Sequence, residues 1–146
     1  MSTPPQFPIL AVDDDAVDLM LIRRALKRVG LTNPLYEVHH GEEALRFLRR
    51  EEPFGEDGIA PTPGLVLLDL NMPIMSGLEL LEVAKADPEL KTIPIVVLTT
   101  SDAERDVVES YRRGAAGYIV KPVDFAQFAD AVRSIGEYWR LCLRRV

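Results

Sequence analysis

LVLLDLNMP, residues 65–73, runs four apolar residues into an aspartate, Asp69, and then into a turn marked by Pro73. A short apolar run closed by a turn signal reads as a strand buried on both faces. Such strands belong to parallel sheets covered by helices on either side. The run nevertheless ends in a carboxylate. A charge at the edge of a core is costly unless something pairs with it. Asp69 therefore needs a partner, and the rest of the chain must supply it.

Similar runs recur on either side: FPILAV (7–12), LYEVH (35–39), IPIVVL (93–98) and GYIV (117–120). Segments of helical period lie between them, near 16–29, 42–50, 77–86 and 103–113, with a last one from about 124 to 143. In the first, Ile22, Leu26 and Val29 recur at spacings of four and three, and Gly30 stands where a helix would stop. Strict alternation of strand and helix predicts a doubly wound α/β domain: a five-stranded parallel sheet, five helices, right-handed crossovers, flavodoxin-like in topology. EEPFGEDGIAPTPG (51–64) is rich in Pro and Gly and reads as a surface loop. One domain is expected over 1–146, with its core at about 7–140.

Composition excludes several classes. The net charge is −6, which argues against a nucleic-acid surface. The apolar run near the N-terminus is too short for a signal peptide or a membrane span. Cys142 is the single cysteine, so no intrachain disulfide forms, in keeping with a reducing cytoplasm.

In open α/β sheets the ligand crevice lies beyond the carboxyl ends of the strands. The first strand delivers Asp13, Asp14 and Asp15 there, and the third delivers Asp69 followed by Asn71. The fourth brings Thr99, Thr100 and Ser101, and the fifth Lys121. His39 and His40 close the second and read as edge residues without a role. Clustered carboxylates repel, and a divalent cation relieves the repulsion. Mg²⁺ takes oxygen ligands and keeps several waters beside one or two carboxylates. Asp14 and Asp69 offer side-chain oxygens, the Asn71 carbonyl a third, and Asp13 a hold on a metal-bound water. A carboxylate beside Mg²⁺ and an ammonium suits a phosphoryl acceptor. Asp69 takes that role, with Lys121 and the Thr99 hydroxyl to stabilise the added charge.

At these residues the sequence resembles the receiver domain of bacterial two-component response regulators. VDDD (12–15), LLDLNMP (67–73), VVLTTS (96–101) and GYIVKP (117–122) match the family's motifs in order and spacing. The resemblance implies phosphorylation of Asp69 by a sensor histidine kinase. It implies Mg²⁺ at Asp14, Asp69 and the Asn71 carbonyl, with Asp13 acting through water. It makes Thr99 and Tyr118 the switch pair and places a cis peptide bond before Pro122. It also implies a signalling protein rather than an enzyme, acting through phosphorylation-dependent binding, with no output domain attached. Ser76 stands where the wider family commonly has an acid. KADPELKTIPIVVLTTS (85–101), the 51–64 loop and GEYW (136–139) resemble the stand-alone regulators associated with phytochromes. That points to a phytochrome as the kinase, and to a homodimer through the fourth helix, fifth strand and fifth helix.

DDDAV (13–17) also fits the signature of haloacid-dehalogenase-like phosphohydrolases, with Asp13 as nucleophile. That reading lacks a later acidic pair and leaves Asp69 without a task. A flavin carrier would want a phosphate-cradling loop rich in Ser, Thr and Gly where this chain has three acids.

The final helix carries Phe125, Phe128, Val132, Ile135, Trp139 and Cys142 at alternating spacings of three and four, one apolar stripe. Twenty residues of helix span about 30 Å, whereas strands span about 17–20 Å. The end bearing Tyr138, Trp139, Leu141 and Cys142 thus projects past the sheet. It either folds back over the sheet edge or meets a second subunit, and its aromatic and aliphatic character favours the subunit. Sedimentation is expected to show a dimer for the wild type and a folded monomer for Trp139→Glu; a monomeric wild type at high concentration would rule the dimer out.

Overall fold

The computed structural model describes residues 7–28, 30–51 and 61–121, together with 126, 130 and 133. Its elements follow in strict alternation: β1 (Ile9–Val12), α1 (Ala16–Arg28), β2 (Leu35–Val38), α2 (Gly41–Leu48), β3 (Leu65–Leu68), α3 (Gly77–Ala86), β4 (Ile95–Thr99), α4 (Glu104–Arg112) and β5 (Gly117–Val120). The strands form one parallel sheet in the order β2-β1-β3-β4-β5.

Successive strand residues point to opposite faces, and the core divides accordingly. Leu10, Val12, Val66 and Leu68 pack with Leu45 and Phe47 of α2 and with Leu80 and Leu81 of α3. Ile9, Ala11, Leu65 and Leu67 pack with Leu19, Ile22 and Leu26 of α1. Each such Leu, Ile, Val or Phe side chain contributes about 1.5–3 kcal/mol when fully buried. β1 and β3 are buried at every position, so apolar residues run unbroken along both.

The starts of α1, α2 and α3 are fixed by side-chain caps. His40 Nδ1 accepts the Glu43 amide at 3.2 Å while Glu43 returns a bond to the His39 amide at 3.0 Å. His40, expected to have no role, is thus the N-cap of α2. Ser76 caps α3 by accepting the Glu79 amide at 3.2 Å, so its hydroxyl serves where the wider family commonly has an acid. Asp15 Oδ1 accepts the Val17 amide at 2.8 Å at the start of α1.

Departures from the sequence reading are local. β4 starts at Ile95 rather than 93, because Pro94 has no N–H to give the ladder. β1 starts at Ile9, two residues later than the apolar run at Phe7. α2 ends at Leu48, and Arg50 turns the chain with a φ of 55°. Four helices lie among the described residues. The expected fifth, near 124–143, falls outside them apart from Ala126, Asp130 and Arg133, which are helical. Pro122 and the interface residues Tyr138, Trp139, Leu141 and Cys142 fall outside them as well, as does most of the 51–64 loop.

Gly77 opens α3 directly behind the third strand's end. A Cβ there would lie 2.4 Å from the Asp69 carbonyl oxygen and 2.6 Å from Leu70 Cα. Both obstacles are backbone, so neither moves cheaply. Gly77→Ala is expected to lower stability by about 1–3 kcal/mol, read as a fall in the urea unfolding midpoint.

Candidate functional site

The chain leaves β1 for β2 on one side and returns through β3 on the other, so β1 and β3 are neighbours where the strand order reverses. Ligand crevices of open sheets form at that point. Val12 is paired with Leu68, so Asp13 and Asp69 emerge side by side. The ladder carries on past both strands, with the Asp69 amide donating to Val12 O at 3.0 Å and the Asp13 amide to Val38 O at 3.1 Å. Asp13 is 1% exposed and Asp69 8%. Asp14 is exposed, and one carboxylate oxygen from each of Asp13, Asp14 and Asp69 lies within 4.8 Å of the others.

Lys121 arrives by the same logic. Thr99 is paired with Val120, and the Lys121 amide donates to Thr99 O at 2.8 Å. Its ammonium donates to Asp13 Oδ2 at 2.7 Å and to Asp18 Oδ2 at 2.9 Å. This corrects the expected pairing of Lys121 with Asp69, which acts on the ammonium through its charge alone. Asp13 holds the lysine through Oδ2, while its Oδ1 accepts the Asp15 amide at 2.9 Å. Asp18 was missed from sequence. It stands in the first turn of α1, where side chains tilt back toward the helix N-terminus and so toward the strand ends.

Thr99 is fully buried, and its hydroxyl oxygen accepts the Ser101 amide at 3.5 Å. Tyr118 donates its hydroxyl to Ser101 O at 2.8 Å, and Ser101 Oγ donates to Asp106 on α4. Thr99 and Tyr118, expected as a pair, therefore meet through the loop at Ser101, which in turn holds α4. Asn71 is exposed, and its amide donates to Asp69 Oδ1 at 3.4 Å. Ile74, just beyond, is 78% exposed with a φ of 71°, a costly backbone for a β-branched residue.

Burial pushes the Asp13 carboxyl above its usual range, against the pull of the Lys121 hydrogen bond and the Asp15 amide. Burial pulls Lys121 down, but hydrogen bonds to Asp13 and Asp18 and the nearby carboxylate charges outweigh it and hold the ammonium above its usual range. Asp13 and Asp18 hold the ammonium, and Asp14 and Asp69 lie in one cluster with Asp13, so the crevice carries more carboxylates than this lysine balances. Hard oxygen donors with surplus negative charge fit a divalent cation such as Mg²⁺ or Mn²⁺.

Residues 9–133 match the response regulator receiver domain, and the chain belongs to that family. Phosphoryl acceptance by an aspartate and dependence on Mg²⁺ are general to it. The response regulator Rcp1 of Synechocystis is 38% identical over 138 residues, covering 94% of this chain and 91% of Rcp1. A solved Mn²⁺-bound form of Rcp1 superposes with a TM-score of 0.75 at 35% identity, covering 91% of this chain and 94% of that one. The phosphorylated cyanobacterial phytochrome response regulator RcpA gives 0.77 at 38% identity, with 92% and 94% covered. The bacteriophytochrome response regulator RtBRR gives 0.80 at 42%, with 90% and 79% covered. This chain is thus related to phytochrome response regulators. No described helix is long and apolar enough to cross a membrane.

A lysine whose pKa is raised on folding adds stability that is fully present below its unfolded value, about 10.4, and is lost as pH rises through the folded value. Removing one partner of a buried pair costs about 3–5 kcal/mol. Urea unfolding in chelator is therefore expected to show Lys121→Met less stable than wild type by about that much at pH 8. The gap should narrow as pH climbs past about 10.4.

Proposed function

We propose that Asp69 is the phosphoryl acceptor of this receiver domain. The observation that carries the proposal is the side-by-side emergence of Asp13 and Asp69, with Asp14 and Lys121 in the same crevice. An Asp69 carboxylate oxygen attacks phosphorus, the bond from phosphorus to the donor's leaving atom breaks, and that atom departs with the electron pair. The product is an acyl phosphate. Asp14, Asp69 and the Asn71 carbonyl would hold Mg²⁺, with Asp13 acting through a water. The cation, when bound, neutralises charge on the phosphoryl oxygens. Lys121 supplies a fixed positive charge beside them. The Thr99 hydroxyl then hydrogen-bonds the new anion. Its neighbour Ser101 holds both Tyr118 and α4, so a pull on that loop reaches the α4–β5 face.

The natural donor is a sensor histidine kinase, and the kinship with phytochrome response regulators supports a phytochrome in that role. Output is phosphorylation-dependent protein binding in the cytoplasm, with a homodimer through α4, β5 and the final helix.

Incubation with Mg²⁺ and phosphoramidate or acetyl phosphate should place one phosphoryl group on Asp69, located by mass spectrometry, and Asp69→Asn should stay unlabelled there. An adduct on Asp13 would instead favour the phosphohydrolase reading. By calorimetry Asp14→Ala should weaken Mg²⁺ binding more than Asp13→Ala; unchanged affinity in Asp14→Ala removes that residue from the site. Thr99→Ala should accept phosphate yet leave the Tyr118 NMR signals unmoved, and a wild-type shift in that variant would take the switch role from Thr99.

A further inference from the structure

Asp18 has an ordinary explanation: an acid in the first turn of a helix is favoured by the helix dipole. Its geometry goes beyond that. Its carboxylate lies 2.9 Å from Lys121 Nζ, across a gap of 103 residues in sequence. The Lys121 side chain is only 9% exposed, so little water is at hand to replace a lost partner. An ammonium has three N–H donors. Asp13 and Asp18 take two of them, and Asp69, the third deeply placed charge, takes none.

We infer that Asp18 is a positioning residue for Lys121, holding the ammonium between α1 and the acid cluster so that one N–H stays available for an anion on Asp69. The inference rests on Asp69 being the acceptor. Asp18 and Asp13 fix the ammonium from two directions. With Asp18 neutral, Asp13 alone holds it. Tethered on one side only, the ammonium then turns toward the rest of the acid cluster, where it competes with the cation for carboxylate oxygen. Asp18 thus keeps one positive charge near the reacting carboxylate without letting it occupy the metal's place.

The test compares wild type, Asp18→Asn, Asp18→Glu, Lys121→Ala and the Asp18→Asn/Lys121→Ala double variant. The readouts are the labelling rate of Asp69 with phosphoramidate and, independently, Mg²⁺ affinity by calorimetry. Asp18→Asn is expected to lose about 10-fold in both, in the range usual for groups that orient the residues of a metal site. Asp18→Glu, which keeps the charge, should recover most of the loss. In the Lys121→Ala background, Asp18→Asn should change neither quantity further, because its effect runs through the lysine. A loss of the same factor in both backgrounds would reduce Asp18 to a helix-terminus charge and overturn the inference. So would wild-type rate and affinity in Asp18→Asn. Labelling of the wild type at a residue other than Asp69 would overturn the acceptor reading instead, whatever the Asp18 variants do.

Discussion

Val12 lies opposite Leu68, and this one register sets the position of everything chemical in the molecule. It brings two acids 56 residues apart in sequence to adjacent strand ends, close to where the order of the sheet reverses. The register is itself enforced by packing. Ile9, Ala11, Leu65 and Leu67 face one layer, while Leu10, Val12, Val66 and Leu68 face the other. A slip by one residue would exchange the two sets, each shaped to different helices. The apolar core therefore does the alignment, and the carboxylates ride on it.

Placing Asp13 and Asp69 at the lip of the core carries an electrostatic cost that the surrounding residues offset only in part. Asp13 is satisfied twice, by the Asp15 amide and by Lys121. Asp69 has a long bond from the Asn71 amide and no cationic contact among the described residues. The more accessible carboxylate is thus the less satisfied one, as suits a group that must meet an incoming phosphorus. The same economy holds around the fourth strand, where Ser101 serves Thr99, Tyr118 and Asp106 at once.

The central strands were legible because burial on both faces leaves an unbroken apolar run, as in LVLL; the fifth, less buried, still falls where its apolar run does. The third helix was legible to the residue from its period, and the structure adds the Ser76 cap that fixes its start. Strand edges at Pro94 and Phe7 were less so, because an apolar residue can be buried without joining the ladder. The acid cluster could be read as the sum of what each strand end delivers. The choice of Lys121 between Asp13, Asp18 and Asp69 could not. It depends on how each carboxylate and the first turn of α1 are aimed, which is not a property of spacing. The cap at His40 escaped for a related reason: an imidazole acceptor is rarer at that position than Ser, Thr, Asp or Asn.

The tie between Lys121 and Asp13 spans 108 residues, so the two ends of the crevice are made at different times. During synthesis the chain emerges N-terminus first, at about 5–20 residues per second. Asp13, Asp14 and Asp69 are thus on hand some seconds before the lysine that balances them. A domain of this size folds as a unit, so the acids and the lysine that balances them come together only when β5 docks against β4. A nascent chain halted before residue 121 thus carries every acid of the crevice in its sequence and none of the crevice in its fold.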